Sequence, residues 1–180
     1  MVMEQCEYKN NRKIKSEIKK LYVSAFPKNE RPPVHYFFKS ALKENNRLIA
    51  YYVENEFIGF TYLSYYKDIC YIFFLAVAES KRNMGYGSKI IDQIKRDNSD
   101  YVLLLCYEEV DEKYVDYKNR KNREKFYLKN GFKNNELKTN EFGVIFQTAY
   151  IGKHKVKIED YIEIFVLGFG ELARKYIKEA

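Results

Sequence analysis

Arg82-Asn83-Met84-Gly85-Tyr86-Gly87-Ser88 is the stretch on which the reading of this 180-residue chain turns. It follows an apolar run at residues 69–78 and precedes Ile90, Ile91 and Ile94, which share one face of a helix. A strand, a glycine-bearing bend and a helix in that order make an anion site from elementary chemistry. Glycines at 85 and 87 let the backbone approach a ligand with no Cβ in the way. The first helical turn leaves N–H groups unpaired, and Arg82 adds a permanent positive charge. A pyrophosphate suits these groups. Two nucleotide-binding patterns do not fit: the dinucleotide fingerprint needs a third glycine where Ile90 stands, and the P-loop needs a Gly-Lys-Ser/Thr ending that is missing here.

Upstream of the bend, residues 48–53, 57–66 and 69–77 are β-rich, with turns at Glu54-Asn55 and Lys67-Asp68. Such tight connections imply antiparallel neighbours, because a parallel pair needs a crossover of a dozen or more residues. That crossover follows the bend, as a helix to about residue 98 and then a strand at 101–107. Further upstream, residues 3–9 suggest a short edge strand. Ile14, Ile18, Leu21, Tyr22 and Ala25 mark a helix over 12–25 that Pro27 ends, and Arg31-Pro32-Pro33 opens a second helix with Val34, Phe37, Phe38, Ala41 and Leu42 on one face. Downstream, 108–122 is charged and without apolar periodicity, so it reads as a loop. Residues 123–129 read as a short helix stopped at Asn130-Gly131. A hairpin of 132–137 and 142–151 is expected to turn at Thr139-Asn140. A last amphipathic helix spans about 158–178, with Gly168 and Gly170 in its middle.

Composition narrows the class. Lys plus Arg number 32 against 25 Asp plus Glu, a net charge of +7, and 46% of residues are hydrophobic, which suits one globular domain over 1–180 rather than a disordered chain. No apolar run approaches the roughly 20 residues of a membrane span. The polar opening of the chain predicts no targeting leader and a cytoplasmic address. Three cysteines, Cys6, Cys70 and Cys106, lack a C-x-x-C spacing, and His35 and His154 stand far apart, so no metal is expected.

The bend and its surroundings resemble the GNAT superfamily of acyl-CoA-dependent N-acyltransferases, whose pyrophosphate loop reads R/Q-x-x-G-x-G/A. Arg82, Gly85 and Gly87 match that loop, Leu75-Ala76-Val77 stands at the family's spacing before it, and Phe126-Tyr127-Leu128-Lys129-Asn130-Gly131-Phe132 is similar to the family's F/Y-Y-x-x-x-G-F segment. The likeness covers about 47–151. It implies an α/β fold of α+β type, with a mixed, mainly antiparallel sheet whose central strands splay, flanked by helices; the C-terminal helix is an addition.

The resemblance also assigns roles. Arg82 and the backbone amides of Asn83, Met84, Gly85, Tyr86, Gly87 and Ser88 would hold the pyrophosphate of acetyl-CoA, the co-substrate. Main-chain groups of Leu75 and Val77 would pair with pantetheine, and an N–H there would polarise the thioester carbonyl. Tyr127 stands at the position of the general acid that protonates the departing thiolate; a phenol with an ordinary pKa of about 10 keeps its proton at neutral pH. The amine nucleophile must first lose a proton, and Glu108 or Glu109 is a candidate base, directly or through a water; an ordered water with no essential carboxylate is equally compatible. Asn122 lies near the usual pantetheine-contacting position, where Arg120 replaces the family's asparagine. The segment 26–33 and Phe37-Phe38 would neighbour an acceptor pocket by analogy, although helix packing accounts for both phenylalanines.

Cys106 could form an acyl-enzyme, but a buried core thiol explains it as well, and direct attack of a primary amine on acetyl-CoA needs no cysteine. Two other functions stay open. One is a basic nucleic-acid-binding protein, suggested by Arg120-Lys121-Asn122-Arg123 and Lys153-His154-Lys155-Val156-Lys157, neither of which adjoins an aromatic stacking platform. The other is a catalytically inactive acyl-CoA sensor. The apolar face of the last helix needs covering, by its own sheet or by a second copy in a homodimer.

Overall fold

The computed structural model describes residues 2–28 and 31–180. Its elements run β1 (Glu4–Glu7), α1 (Arg12–Ala25), α2 (Val34–Ser40), β2 (Asn46–Val53), β3 (Glu56–Tyr66), β4 (Ile69–Val77), α3 (Tyr86–Asp97), β5 (Val102–Glu108), α4 (Tyr117–Lys129), β6 (Lys133–Glu141), β7 (Val144–Ile151), α5 (Ile158–Phe169), α6 (Ala173–Tyr176) and β8 (Ile177–Glu179). Hydrogen-bonded neighbours follow the order β1-β2-β3-β4-β5-β7-β6-β8, a mixed and mainly antiparallel sheet. The chain divides into two compact units, one of residues 1–64 and 72–94, the other of residues 65–71 and 95–180.

The first unit is built on aromatic packing. Asn11 caps α1 by accepting from the amides of Lys13 and Ile14 at 2.9 and 3.1 Å. The helix buries Ile18, Leu21 and Tyr22. Tyr22 stacks on Phe37 of α2 with ring centroids 4.0 Å apart and meets Phe74 of β4 edge-on at 5.3 Å, while its hydroxyl donates to the Pro32 carbonyl at 2.9 Å. Each such ring removes enough apolar surface to stabilise by about 1.5–3 kcal/mol. Phe37 and Phe38 are therefore core residues, buried to 0 and 3% exposure. Of the expected segment 26–33, residues 29 and 30 lie outside the described residues. The β2–β3 turn falls at Glu54 and Asn55, both at positive φ (51° and 64°), the geometry of a two-residue hairpin loop.

In the second unit, Ile69, Cys70 and Tyr71 at the start of β4 pair in parallel with Val102, Leu103 and Leu104 of β5. The parallel ladder comprises those three pairs, although β4 is nine residues long. β5 then pairs antiparallel with β7 from Leu103↔Ile151 to Glu108↔Phe146, and β6 pairs with both β7 and β8.

Three expectations are corrected here. The helix expected at 123–129 begins at Tyr117, because a helix polar on all sides shows no apolar period. Its first turn is held instead by side-chain pairs, Arg120 Nε donating to Asp116 Oδ1 at 2.8 Å and Lys121 Nζ to the Tyr117 hydroxyl at 2.8 Å. The β6–β7 turn lies at Phe142-Gly143, not Thr139-Asn140. Both turn residues take positive φ (53° and 90°), and the Gly143 amide donates to Asn140 Oδ1 at 2.9 Å. The terminal helix of about 158–178 is instead α5, which stops at Gly170 with φ 93°, followed by the single turn α6 and by β8, which adds a strand to β6. The apolar face of α5 is covered within its own unit, through Tyr161, Ile164 and Phe165.

Candidate active site

The bend belongs to the first unit. After β4 the chain makes a 3-10 turn over Glu79–Lys81, and Arg82 Nε reaches back to donate to the Val77 carbonyl at 3.2 Å. Asn83 (φ 61°) and Gly85 (φ 80°) both sit in the left-handed region, which turns the chain sharply into α3. The Gly85 carbonyl accepts the first helical bond, from the Lys89 amide at 3.2 Å, so the amides of the opening turn point outward unpaired within the helix. A Cβ built on Gly85 meets nothing within 4 Å. The space beside the bend is thus an open cradle, edged by exposed Arg82, Asn83 and Met84 and by half-buried Tyr86, Gly87 and Ser88. Ile90, Ile91 and Ile94 anchor α3 from below.

The strand before the bend alternates as its period requires. Ile72, Phe74 and Ala76 are buried, whereas Phe73, Leu75 and Val77 form a half-buried face. The Ala78 amide donates to the Ile58 carbonyl at 2.8 Å, and Gly59 lies against the Ala76 carbonyl, so β3 fixes the end of β4. Gly59 was not singled out by sequence; a glycine inside a β-rich run was the available signal. Glu79 is exposed.

Tyr127 belongs to the second unit. It is half-buried on α4, with Tyr107 of β5 stacked beside it at 5.9 Å and Phe132 edge-on at 5.9 Å. Its carbonyl accepts the Phe132 amide at 3.2 Å, which closes the end of α4 with Gly131 at φ 91°. Burial pushes its phenol up to about 12, against the pull of the Arg123 guanidinium. The hydroxyl has no hydrogen-bond partner among the described residues.

The two acidic candidates in the same unit differ. Glu108 is buried and ion-paired with Arg123. Glu109 receives Lys138 at 2.8 Å and Lys113 at 3.2 Å, and those lysines hold its carboxyl below the usual range. Its carbonyl accepts from Arg120 Nη1 at 3.1 Å, and the same guanidinium lies 3.9 Å from the Tyr114 ring centroid. Arg120 thus pins the loop before α4. Asn122 is exposed on α4. Cys106 is half-buried, its thiol raised by burial and by the Glu141 charge, so it is the neutral thiol at physiological pH. Glu141 was missed by sequence. It closes the inward row Leu137, Thr139, Glu141 of β6, and that alternation was the signal.

A model of the acetyltransferase (GNAT) domain matches residues 44–134, from the edge of β2 to the start of β6. The chain belongs to the GNAT acetyltransferase family. The match takes in the bend, the strand before it and the segment carrying Tyr127, and it leaves out most of β6, β7, α5, α6 and β8. No curated protein matches the sequence. Among solved structures, a protein described as a GNAT-family acetyltransferase from Bacteroides thetaiotaomicron superposes with a TM-score of 0.76 at 16% identity, covering 95% of this chain and 99% of that one. An aminoglycoside 6′-N-acetyltransferase complexed with coenzyme A gives 0.68 at 16% identity, over 87% and 98%. A GNAT acetyltransferase from Elizabethkingia anophelis with acetyl-CoA bound gives 0.60 at 16%, over 84% and 98%. At such identities these likenesses speak to fold, and the fold of this GNAT chain agrees with theirs. No helix among the described residues is long and apolar enough to cross a membrane.

Proposed function

We propose that this GNAT protein transfers an acetyl group from acetyl-CoA to a primary amine by direct attack of the nitrogen on the thioester. The observation that carries the reading is the bend itself, where Gly85 leaves open space at positive φ, a helix begins, and Arg82 stands exposed beside it. A diphosphate brings two or more negative charges to unpaired amides and a guanidinium, and charge-assisted hydrogen bonds of this kind are each worth about 1.5–3 kcal/mol. Arg82 and the amides of residues 83–88 hold the pyrophosphate. Leu75 and Val77 lie on the half-buried face of β4, and their main-chain groups serve pantetheine and the thioester carbonyl.

Tyr127 protonates the departing thiolate. Its burial supports the role, since a phenol raised to about 12 stays protonated at any working pH, and its hydroxyl is not spent on a structural bond. The two units act as a single acyltransferase domain in this reading, and residues 1–180 work without a metal.

Calorimetric titration of acetyl-CoA, followed by a thiol-release assay over a panel of primary amines, tests the reading. Saturable binding with amine-dependent release is expected. Binding without release under every amine would leave a sensor, and no binding would remove the co-substrate. Retention on nucleic acid that falls steeply with salt would favour the basic-protein alternative.

A further inference from the structure

The β6–β7 turn of the second unit carries a large aromatic residue where its backbone calls for a small one. Phe142 takes φ 53°, a region that a bulky residue enters at a cost and a glycine enters freely, and its ring is 67% exposed. Neither the turn nor the burial of apolar surface therefore asks for phenylalanine here, and a strained residue held at the surface is a pointer to function. The ring stacks on Tyr176, itself 43% exposed, with centroids 5.0 Å apart and planes 19° from parallel. The Phe142 amide donates to the Tyr176 carbonyl at 3.2 Å, which fixes both residues in one frame.

The two rings line a hollow of about 360 Å³ together with Asn140, Gly143, Lys175 and Lys178. Lys178 stands opposite Asn140 in the β6–β8 ladder, so their side chains share a face, while Glu179, opposite Thr139, belongs to the other face. Lys175 Nζ lies 5.6 Å from the centroid of the Tyr176 ring. Neither lysine has an acidic partner among the described residues. Asn140 spends Oδ1 on the Gly143 amide at 2.9 Å, and its Nδ2 bonds to none of the described residues. The hollow thus offers an aromatic surface, two ammonium groups and an amide donor, and no carboxylate of the described residues lines it.

We propose that this hollow binds a nucleoside monophosphate, its base laid against the Phe142–Tyr176 pair and its phosphate held by Lys175 and Lys178. Each part of that ligand has its counterpart. Stacking on an aromatic side chain accepts any base, because every base has a π-face. The lysines meet the phosphate as point charges, and Asn140 Nδ2 donates to an oxygen or ring nitrogen of the base or ribose. The volume falls in the range, roughly 300–1,000 Å³, of sites that hold one small ligand. A nucleic-acid strand would need further cations to follow its backbone. Here Lys138, on the same face of β6, is paired with Glu109, and Arg174, beside Lys175 in the chain, is paired with Glu163 and Glu171. Two lysines are left, enough charge for one phosphate. The site lies in the second unit, the bend in the first, and it does not rest on the transferase reading.

Calorimetric titration of the full-length protein with adenosine 5′-monophosphate at low salt tests the site. Saturable binding is expected, with adenosine and inorganic phosphate each weaker by about tenfold or more, since each supplies one half of the contacts. Phe142→Gly removes the aromatic surface and suits the positive φ, so it should fold at least as well as the parent while its affinity for the nucleotide falls about tenfold. Lys178→Gln should weaken binding by a similar factor and reduce its dependence on salt. Should Phe142→Gly fail to fold, Tyr176→Leu takes its place.

No binding of the nucleotide, or an affinity unchanged in both variants, overturns the site. Inorganic phosphate that binds as tightly as the nucleotide overturns the stacking role. Nucleotide binding that is lost in Arg82→Ala and kept in Phe142→Gly would put the ligand at the bend and overturn a second site. A single-stranded oligonucleotide that binds more than about tenfold tighter than the mononucleotide, and loses that affinity in Phe142→Gly, would make nucleic acid the occupant and overturn the assignment. Thiol release from acetyl-CoA is decided separately, so the transferase reading and this site fail independently.

Discussion

A Cβ added to Gly59 would stand 2.2 Å from the carbonyl oxygen of Ala76, and 3.1 Å from the Cα of Val77. Both obstacles are backbone, so neither can rotate away. Any side chain at 59 must push β3 and the end of β4 apart, and that end leads directly into the bend. Gly59→Ala is therefore expected to cost about 1–3 kcal/mol in overpacking and to weaken coenzyme A binding, although residue 59 lies outside the bend. Denaturant midpoints and calorimetric titration read the two effects. A stable variant with unchanged coenzyme A affinity would show that the position of the β4 end does not matter to the ligand.

The bend itself separates strain from obstruction. At Gly85 an added methyl group has room but the φ of 80° is unfavourable, so Gly85→Ala should destabilise by about 1 kcal/mol. The methyl also projects into the cradle, so the dissociation constant for coenzyme A should rise more than that loss of stability accounts for. Arg82→Ala removes one charge-assisted contact and should weaken binding by about tenfold or more. Equal affinity in both variants and the parent would move the diphosphate away from this bend.

For Tyr127→Phe the expected result is a kcat lower by about 10²-fold with little change in stability, since the hydroxyl it removes bonds to none of the described residues. The same burial that raises this phenol sets a pH expectation. Activity should not decline through loss of this proton until the pH nears about 12. Stopped-flow turnover across the alkaline range checks it, and a rate that falls with a midpoint near the ordinary tyrosine value of about 10 in the parent but not in the variant would contradict the burial.

What was legible in the sequence followed from periodicity and punctuation. Residues 12–25 and 69–77 carry strong apolar periods with proline or a turn at an end, and both elements fall where expected. The bend was legible as a turn from strand to helix because Gly85 suits the positive φ it takes between β4 and α3. Other features were decided by tertiary context. Residues 117–122 carry no apolar stripe, and only side-chain pairs such as Arg120 with Asp116 show why they are helical. Phe142-Gly143 makes the hairpin turn because a phenylalanine tolerates positive φ when its ring stacks on Tyr176 at 5.0 Å, a partner far along the chain. Glu141 fell between the two expected hairpin strands and carried no expectation. Its isolation depends on Tyr161, contributed by a helix that the family match does not include.

Glu141 should leave a mark on the pH dependence of stability, because its carboxyl is buried. An unfolded glutamate titrates near 4.3, whereas burial lifts the folded carboxyl to about 7. Between these values the folded protein keeps a proton that the unfolded chain has released, so stability must fall as pH rises through that window and level off above it. At about 1.4 kcal/mol per unit, the cost of an ionised Glu141 at neutral pH is on the order of 3 kcal/mol. Glu141→Gln is neutral at every pH and its amide oxygen can accept from Tyr161 and Thr139 alike, so it should be the more stable protein at about pH 8 and lose that advantage by about pH 5. His154 complicates the raw curves: Asp68, 2.8 Å away, raises its pKa, so its own contribution is lost as pH climbs through that raised value. Because His154 is present in both proteins, the difference between their urea midpoints isolates Glu141. A difference that does not change with pH would mean the carboxyl is not held among apolar groups.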